Sequence, residues 1–150
     1  MATGNGKSAD EAAVRAVVDA IVKAVRAKDV EAMLAQCAPE LVTFDMVPPI
    51  QHEGAEAIRR LWDKTLAGFV PPLDYDTHDV DVQVGGDVAF VRCLNQFGGT
   101  HTDGTRTNNW LRSTFGLRKI GGRWKAVHEH EHVSVPFDME TGKALPELKP

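Results

Sequence analysis

The chain has 150 residues, 43% hydrophobic and 25% charged, with a formal net charge of −4. That length fits a single domain, 1–150, whose core needs neither disulfides nor a structural metal. The acidic balance and the lack of a basic run disfavour nucleic acid, and no apolar run is long enough to suggest a membrane-spanning helix.

The opening MATGNGKSAD is polar and carries no signal-peptide pattern, so a cytoplasmic protein is expected. Gly6-Lys7-Ser8 has the end of a phosphate-loop motif, but Met1 stands where its first Gly belongs and no strand can precede it. Residues 1–7 read as a disordered lead-in. Ser8-Ala9-Asp10-Glu11 has capping-box form, and Val14, Val17, Val18, Ile21, Val22 and Val25 then repeat as one helical stripe. Asp29 predicts the cap of a short second helix carrying Met33 and Leu34. Leu41 to Asp45 reads as a strand, broken by Pro48-Pro49. A third helix opens near Gly54, its stripe running through Ile58, Leu61, Trp62, Thr65, Leu66 and Phe69 before Pro71-Pro72.

From Leu73 the period becomes two. Val80, Val82 and Val84 alternate with polar residues, and Gly85-Gly86, Asp103-Gly104 and Gly121-Gly122 mark three turns. Four long strands in an antiparallel meander follow the helices, an α+β pattern. The helices must cover one face of a curved sheet, enclosing a conical space as the default binding site. Residues 137–150 read as an extension that packs on a partner subunit or stays mobile. Cys37 and Cys93 belong to no CxxC pair and read as free thiols.

The last strand, RWKAVHEHEHV, is unusual. Strict alternation puts Trp124, Ala126, His128, His130 and His132 on one face and Val127, Glu129 and Glu131 on the other. Whichever face is buried must take in His or Glu. Same-face histidines lie about 6.7 Å apart, too far for a metal without a third ligand elsewhere, so no metal is called. No nucleotide loop or cofactor fingerprint is visible, and no cofactor is expected.

Two stretches carry a family resemblance. One is Leu41-Val42-Thr43-Phe44-Asp45 followed by Gly54-Ala55-Glu56-Ala57-Ile58-Arg59. The other is Ala89-Phe90-Val91-Arg92 with Trp124-Lys125-Ala126-Val127-His128-Glu129-His130 and Ser134-Val135-Pro136. The layout resembles the nuclear-transport-factor-like superfamily, in its SnoaL-like and ketosteroid-isomerase-like branch, and is similar to the association domain of calcium/calmodulin-dependent kinases. The resemblance implies a cone-shaped, cystatin-like α+β roll. It implies that Asp45 matches the isomerases' catalytic Asp, and that Val127, Glu129 and Glu131 turn toward the pocket. Ile21 stands where the isomerases carry an oxyanion-holding Tyr, and Thr114 falls near their second donor, so steroid isomerisation itself is not expected.

Each candidate has two readings. Asp45 is a proton-abstracting base or a cap for the following loop. Arg92, with Val88, Phe90 and Leu94 on its face, reads as buried; it binds an oxyanion or pairs with an internal carboxylate. His130 and Glu129 are alternatives for a second acid/base group, and a hydrogen-bonded structural role at a dimer face is the other reading of the histidines. Phe44, Trp62 and Phe90 are candidate apolar walls; Trp110, Arg112 and Glu131 are candidate polar contacts, or parts of a core and a solvated edge. The expected ligand is small and hydrophobic, with a ketone or carboxylate. The function is acid/base catalysis on such a carbonyl compound (isomerisation, cyclisation or dehydration), or non-catalytic binding or assembly. A homodimer through the exposed sheet face is expected under both.

Overall fold

The computed structural model describes residues 3–133 and 140–142. Helix α1 spans Thr3–Arg26, α2 Val30–Leu34 and α3 Gly54–Ala67. The strands are β1 Cys37–Phe44, β2 His52–Glu53, β3 Phe69–Gly85, β4 Val88–His101, β5 Arg106–Ile120 and β6 Arg123–Val133. They form one sheet in the order β2-β1-β6-β5-β4-β3. The β3–β6 part is the antiparallel meander that the turn pattern predicts, while β1 joins β6 in parallel. The fold is the expected α+β class, with a curved, unclosed sheet and N-terminal helices. No helix among the described residues is long and apolar enough to cross a membrane.

The valine stripe of α1 is buried against the sheet, with Val14 fully inaccessible. The core continues through Ile58, Trp62 and Leu66 of α3 to Tyr75, Val91, Phe115 and Leu117. Asp29 caps α2, its side chain accepting the Ala32 N–H at 2.9 Å. Helix α1 begins at Thr3, five residues before the apparent capping box, so Ser8 does not start it and most of the anticipated lead-in is helical. Asp10 instead reaches the sheet, accepting from Lys119 Nζ at 2.7 Å and Trp124 Nε1 at 3.0 Å. That fixes α1 on the end of the β5–β6 hairpin. The anticipated 137–150 extension and Ser134-Val135-Pro136 fall almost wholly outside the described residues.

One irregularity decides what the sheet presents inward. Leu117 pairs with Ala126, but Gly116 pairs with His128, leaving Val127 as an extra residue in β6. A bulge of one residue reverses the face on which every later side chain emerges. Trp124 and Ala126 are therefore buried before it, and Glu129 and Glu131 after it. His130 and His132 point outward and are exposed. Strict alternation along β6, as read from the sequence, is broken at this point.

Val127 is the extra residue, so deleting it restores regular alternation and still leaves Trp124, Ala126, Glu129 and Glu131 facing inward. We expect the deletion variant to keep a cooperative urea transition, as Val127→Ala should. A deletion variant that loses the cooperative transition would contradict the bulge.

Candidate active site: a pocket lined by two acids

Strands β1 and β6 lie in parallel with Thr43 beside Glu129 and Phe44 beside His130. Alternation carries Thr43 and the following Asp45 inward and Phe44 outward. Glu129 and Glu131 likewise face inward with His130 outward, so Asp45 comes next to Glu131. The result is a square of polar side chains, Thr43 and Asp45 on one strand, Glu129 and Glu131 on the next. Thr43 is 1% exposed, Glu131 5% and Glu129 8%.

Glu131 is the best-supported member. Its Oε1 accepts from Tyr75 Oη at 3.1 Å, Ser113 Oγ at 3.0 Å and Asn95 Nδ2 at 3.4 Å. Asn95 Nδ2 also reaches Tyr75 Oη at 2.9 Å and Ser113 Oγ at 2.8 Å. One residue each from β3, β4, β5 and β6 thus forms a hydrogen-bonded seam across the inner face. Burial pushes the Glu131 carboxyl above its ordinary value; the Ser113, Tyr75 and Asn95 hydrogen bonds pull the other way, and Asp45 adds to the rise. Burial also pushes the Tyr75 phenol up, with Glu131 and Glu129 adding to it, so Tyr75 stays a donor. Among the described residues the second oxygen of Glu131 has no hydrogen-bond partner.

Glu129 lacks such support: no described residue donates a hydrogen bond to its carboxyl. Burial drives it well above the carboxylate range, and the Glu131 and Asp45 charges drive it further. The Thr43 hydroxyl beside it is buried, with no hydrogen-bond partner among the described residues. Burial also raises the free thiols Cys37 and Cys93 to about 12, with Glu129 and Glu131 contributing.

Asp45 and Glu131 line a cavity of about 110 Å³ between α3 and the sheet. Its other walls are Met46, Val47, Leu61, Trp62, Thr65, Phe97, Asn109 and Leu111. Trp62 and Phe97 meet edge to face, ring centroids 6.4 Å apart. Asp45 caps the next loop, Oδ1 accepting the Val47 N–H at 2.8 Å, and its side chain also lines the pocket. His52 secures the far end of that loop through Nε2 and the Val47 carbonyl, 3.0 Å apart.

The sequence-based candidates divide by face. Asp45, Trp62, Glu129 and Glu131 come together inside. Arg92, His130, Phe44, Phe90, Trp110 and Arg112 do not. Arg92 was read as buried; its side chain is 68% exposed and pairs with Asp81 at 3.1 Å. The even-numbered face of β4 looked as apolar as the odd one, but Ala89, Val91, Cys93 and Asn95 are the buried set. Phe90 and Phe44 are large exposed apolar residues on the outer face. Phe44 packs there against the rings of His128 and His130, at 4.8 and 5.7 Å. Trp110 is half-buried against His78, Arg112 is exposed, and His128 Nδ1 lies 2.8 Å from the Val42 carbonyl. Sequence reasoning missed Tyr75, Asn95 and Ser113. The signal was present: each is a polar residue at a buried position of an alternating strand. Among the described residues no three His, Cys, Asp or Glu side chains converge as metal ligands.

A bent sheet closed by helices over a blind, mostly apolar pocket defines a small-molecule-binding α+β cone. The SnoaL-like domain family matches residues 14–138, and the chain belongs to that family. It is similar to an NTF2-like protein of unknown function from Pseudomonas putida KT2440, at 34% identity and a TM-score of 0.81, covering 95% of this chain and 98% of that one. It shares its fold with a ketosteroid isomerase-like protein from Erwinia carotovora atroseptica SCRI1043 (22% identity, TM-score 0.73, 85% and 98% covered). The same holds for the association domain of C. elegans CaMKII (20%, 0.70, 85% and 98%). No curated protein matches the chain.

The two raised carboxyls set the pH dependence of stability. Between their ordinary value of 4.5 and the raised folded value, the native chain holds more protons than the unfolded chain. Stability therefore falls as pH rises through that window, by up to about 1.4 kcal/mol per pH unit for each group. Urea titrations from pH 4.5 to 8 should show this decline, and Glu129→Gln should flatten it and raise the midpoint at pH 7. A wild-type midpoint that climbs over this range would refute the assignment.

Proposed function

We propose that the pocket binds a small apolar compound bearing a carbonyl group and moves a proton on its α-carbon. The observation that carries this reading is the adjacent Asp45 and Glu131, one at the end of β1 and one on β6, both lining the cavity. Asp45 takes the α-proton, the C–H pair becomes the C=C bond of an enol, and the carbonyl π pair moves to oxygen. Glu131, its Oε1 occupied by three donors, uses the second oxygen as a protonated acid toward that developing charge. Return of the proton to another carbon completes an isomerisation; loss of a β-leaving group instead completes a dehydration. Trp62, Phe97 and Leu111 hold the hydrocarbon part. A carboxylate on the ligand, the other option read from the sequence, is disfavoured, because the polar end of the pocket is acidic and Arg92 lies outside it.

The outer sheet face carries exposed Phe44, Val88 and Phe90 beside Arg92, Arg112 and His130. This supports a homodimer through that face, which serves either a catalytic or an assembly role.

Exchange of α-hydrogens into deuterated water, followed by proton NMR on cyclohexanone and phenylacetone, tests the proton transfer without knowledge of the natural substrate. We expect protein-dependent exchange, lowered about 100-fold or more in Asp45→Asn and to a similar extent in Glu131→Gln, with ketone binding retained. Binding of these ketones without exchange, or wild-type exchange in Asp45→Asn, would remove the catalytic reading and leave a binding protein.

A further inference from the structure

The cavity between α3 and the sheet is polar at two places and apolar between them. Glu131 pairs with Ser113, and four residues away along β5 Asn109 lines the same cavity. At the rise of a strand that separation is about 13 Å. Leu111 lies midway, buried and apolar, and Phe97, the register partner of Asn109, forms the wall with Trp62. Asn109 shares the inward face of β5 with Leu111 and Ser113, yet it is exposed where Glu131 is buried, so it stands at the mouth. Among the described residues no group hydrogen-bonds its side-chain amide, which offers two N–H donors and one acceptor oxygen. Thr65 of α3 also lines the cavity; its hydroxyl donates to the Leu61 carbonyl at 2.9 Å, which leaves its oxygen free to accept. No Lys, Arg or His is among the described residues that line the cavity, and both acids lie away from Asn109. An uncharged amide beside an acceptor oxygen suits a neutral group that both gives and takes a hydrogen bond.

We propose that Asn109, with Thr65, forms a second polar subsite at the mouth of the pocket, which takes a hydroxyl group on the far end of the ligand. The inference rests on the ligand's carbonyl being seated at Asp45 and Glu131, but not on the pocket's catalysing proton transfer. The ligand class narrows from a small apolar ketone to a hydroxy ketone, its two oxygens separated by a hydrocarbon segment that lies against Trp62, Phe97 and Leu111. The hydroxyl accepts from Asn109 Nδ2 and donates to Asn109 Oδ1 or Thr65 Oγ1. Holding the ligand at both ends fixes its direction in the pocket, carbonyl innermost, and so presents the α-carbon to Asp45.

Calorimetric titration with 4-hydroxyphenylacetone and with 4-methylphenylacetone, near-equal in shape and different in hydrogen bonding at the far end, tests the subsite. The hydroxy ketone should bind about fivefold tighter or more. Asn109→Leu should abolish the preference, and Thr65→Val should reduce it. Asp45→Asn should keep the preference even while α-hydrogen exchange is lost. Each variant is first checked for a wild-type circular dichroism spectrum; should Asn109→Leu fail this check, Thr65→Val together with the wild-type pair decides. A crystal structure with 4-hydroxyphenylacetone should place the phenol oxygen at Asn109 and the carbonyl toward Asp45 and Glu131. Equal binding of the two ketones, a full preference in Asn109→Leu or Thr65→Val, or the phenol seated at Glu131 would overturn the proposal. Ketone exchange that persists while the hydroxyl preference is absent refutes the mouth subsite alone, and a preference without exchange upholds the subsite and removes only the catalysis.

Discussion

Three carboxyl groups face one another on the inner side of two parallel strands, with no basic side chain turned toward them among the described residues. Like charges placed opposite on a sheet repel, and burial removes the water that would screen them. The chain accommodates this by holding protons: burial and the neighbouring acids raise Glu129 well above the usual carboxyl range, and burial and Asp45 raise Glu131 above its ordinary value against the pull of its hydrogen bonds. A site that stores protons in an apolar pocket is suited to acid/base work, and it carries a cost in stability at neutral pH.

The rest of the architecture serves this arrangement. The Val127 bulge turns the two glutamates inward while keeping Trp124 in the core. The Tyr75–Asn95–Ser113 seam loads one oxygen of Glu131 and fixes its rotamer, leaving the other oxygen for the pocket. Asp45 is anchored by the Val47 amide at the start of the loop that forms one wall. The α1 helix, tied to Lys119 and Trp124 through Asp10, closes the end of the cone. Glu129 and Thr43 stand apart, because among the described residues no side chain donates a hydrogen bond to either.

Much of the fold was legible in the sequence, because helical stripes and period-two strands are strong and local. The α3 start at Gly54, the Asp29 cap and the three hairpin turns all fall where the residues put them. The site was legible in part. Asp45 and Trp62 follow from element ends and stripe phase. Glu129 and Glu131 were placed inward by family resemblance, since the bulge that directs them has no clear mark in RWKAVHEHEHV. Arg92 was misplaced because β4 is apolar on both faces: Val88, Phe90 and Leu94 match Ala89, Val91 and Cys93 in hydropathy, and periodicity could not choose between them. The polar seam went unseen since its members come from four strands, and contacts across a sheet depend on register that a single sequence does not reveal.

The most direct test of this account is a carbon-13 NMR titration of the side-chain carboxyls of Glu129 and Glu131 in the folded protein. Both should keep their protons beyond pH 4.5, Glu129 well beyond it, and Asp45→Asn should lower the pH at which each ionises. Carboxyl shifts showing that both glutamates lose their protons near 4.5 would contradict the buried acid cluster and everything built upon it.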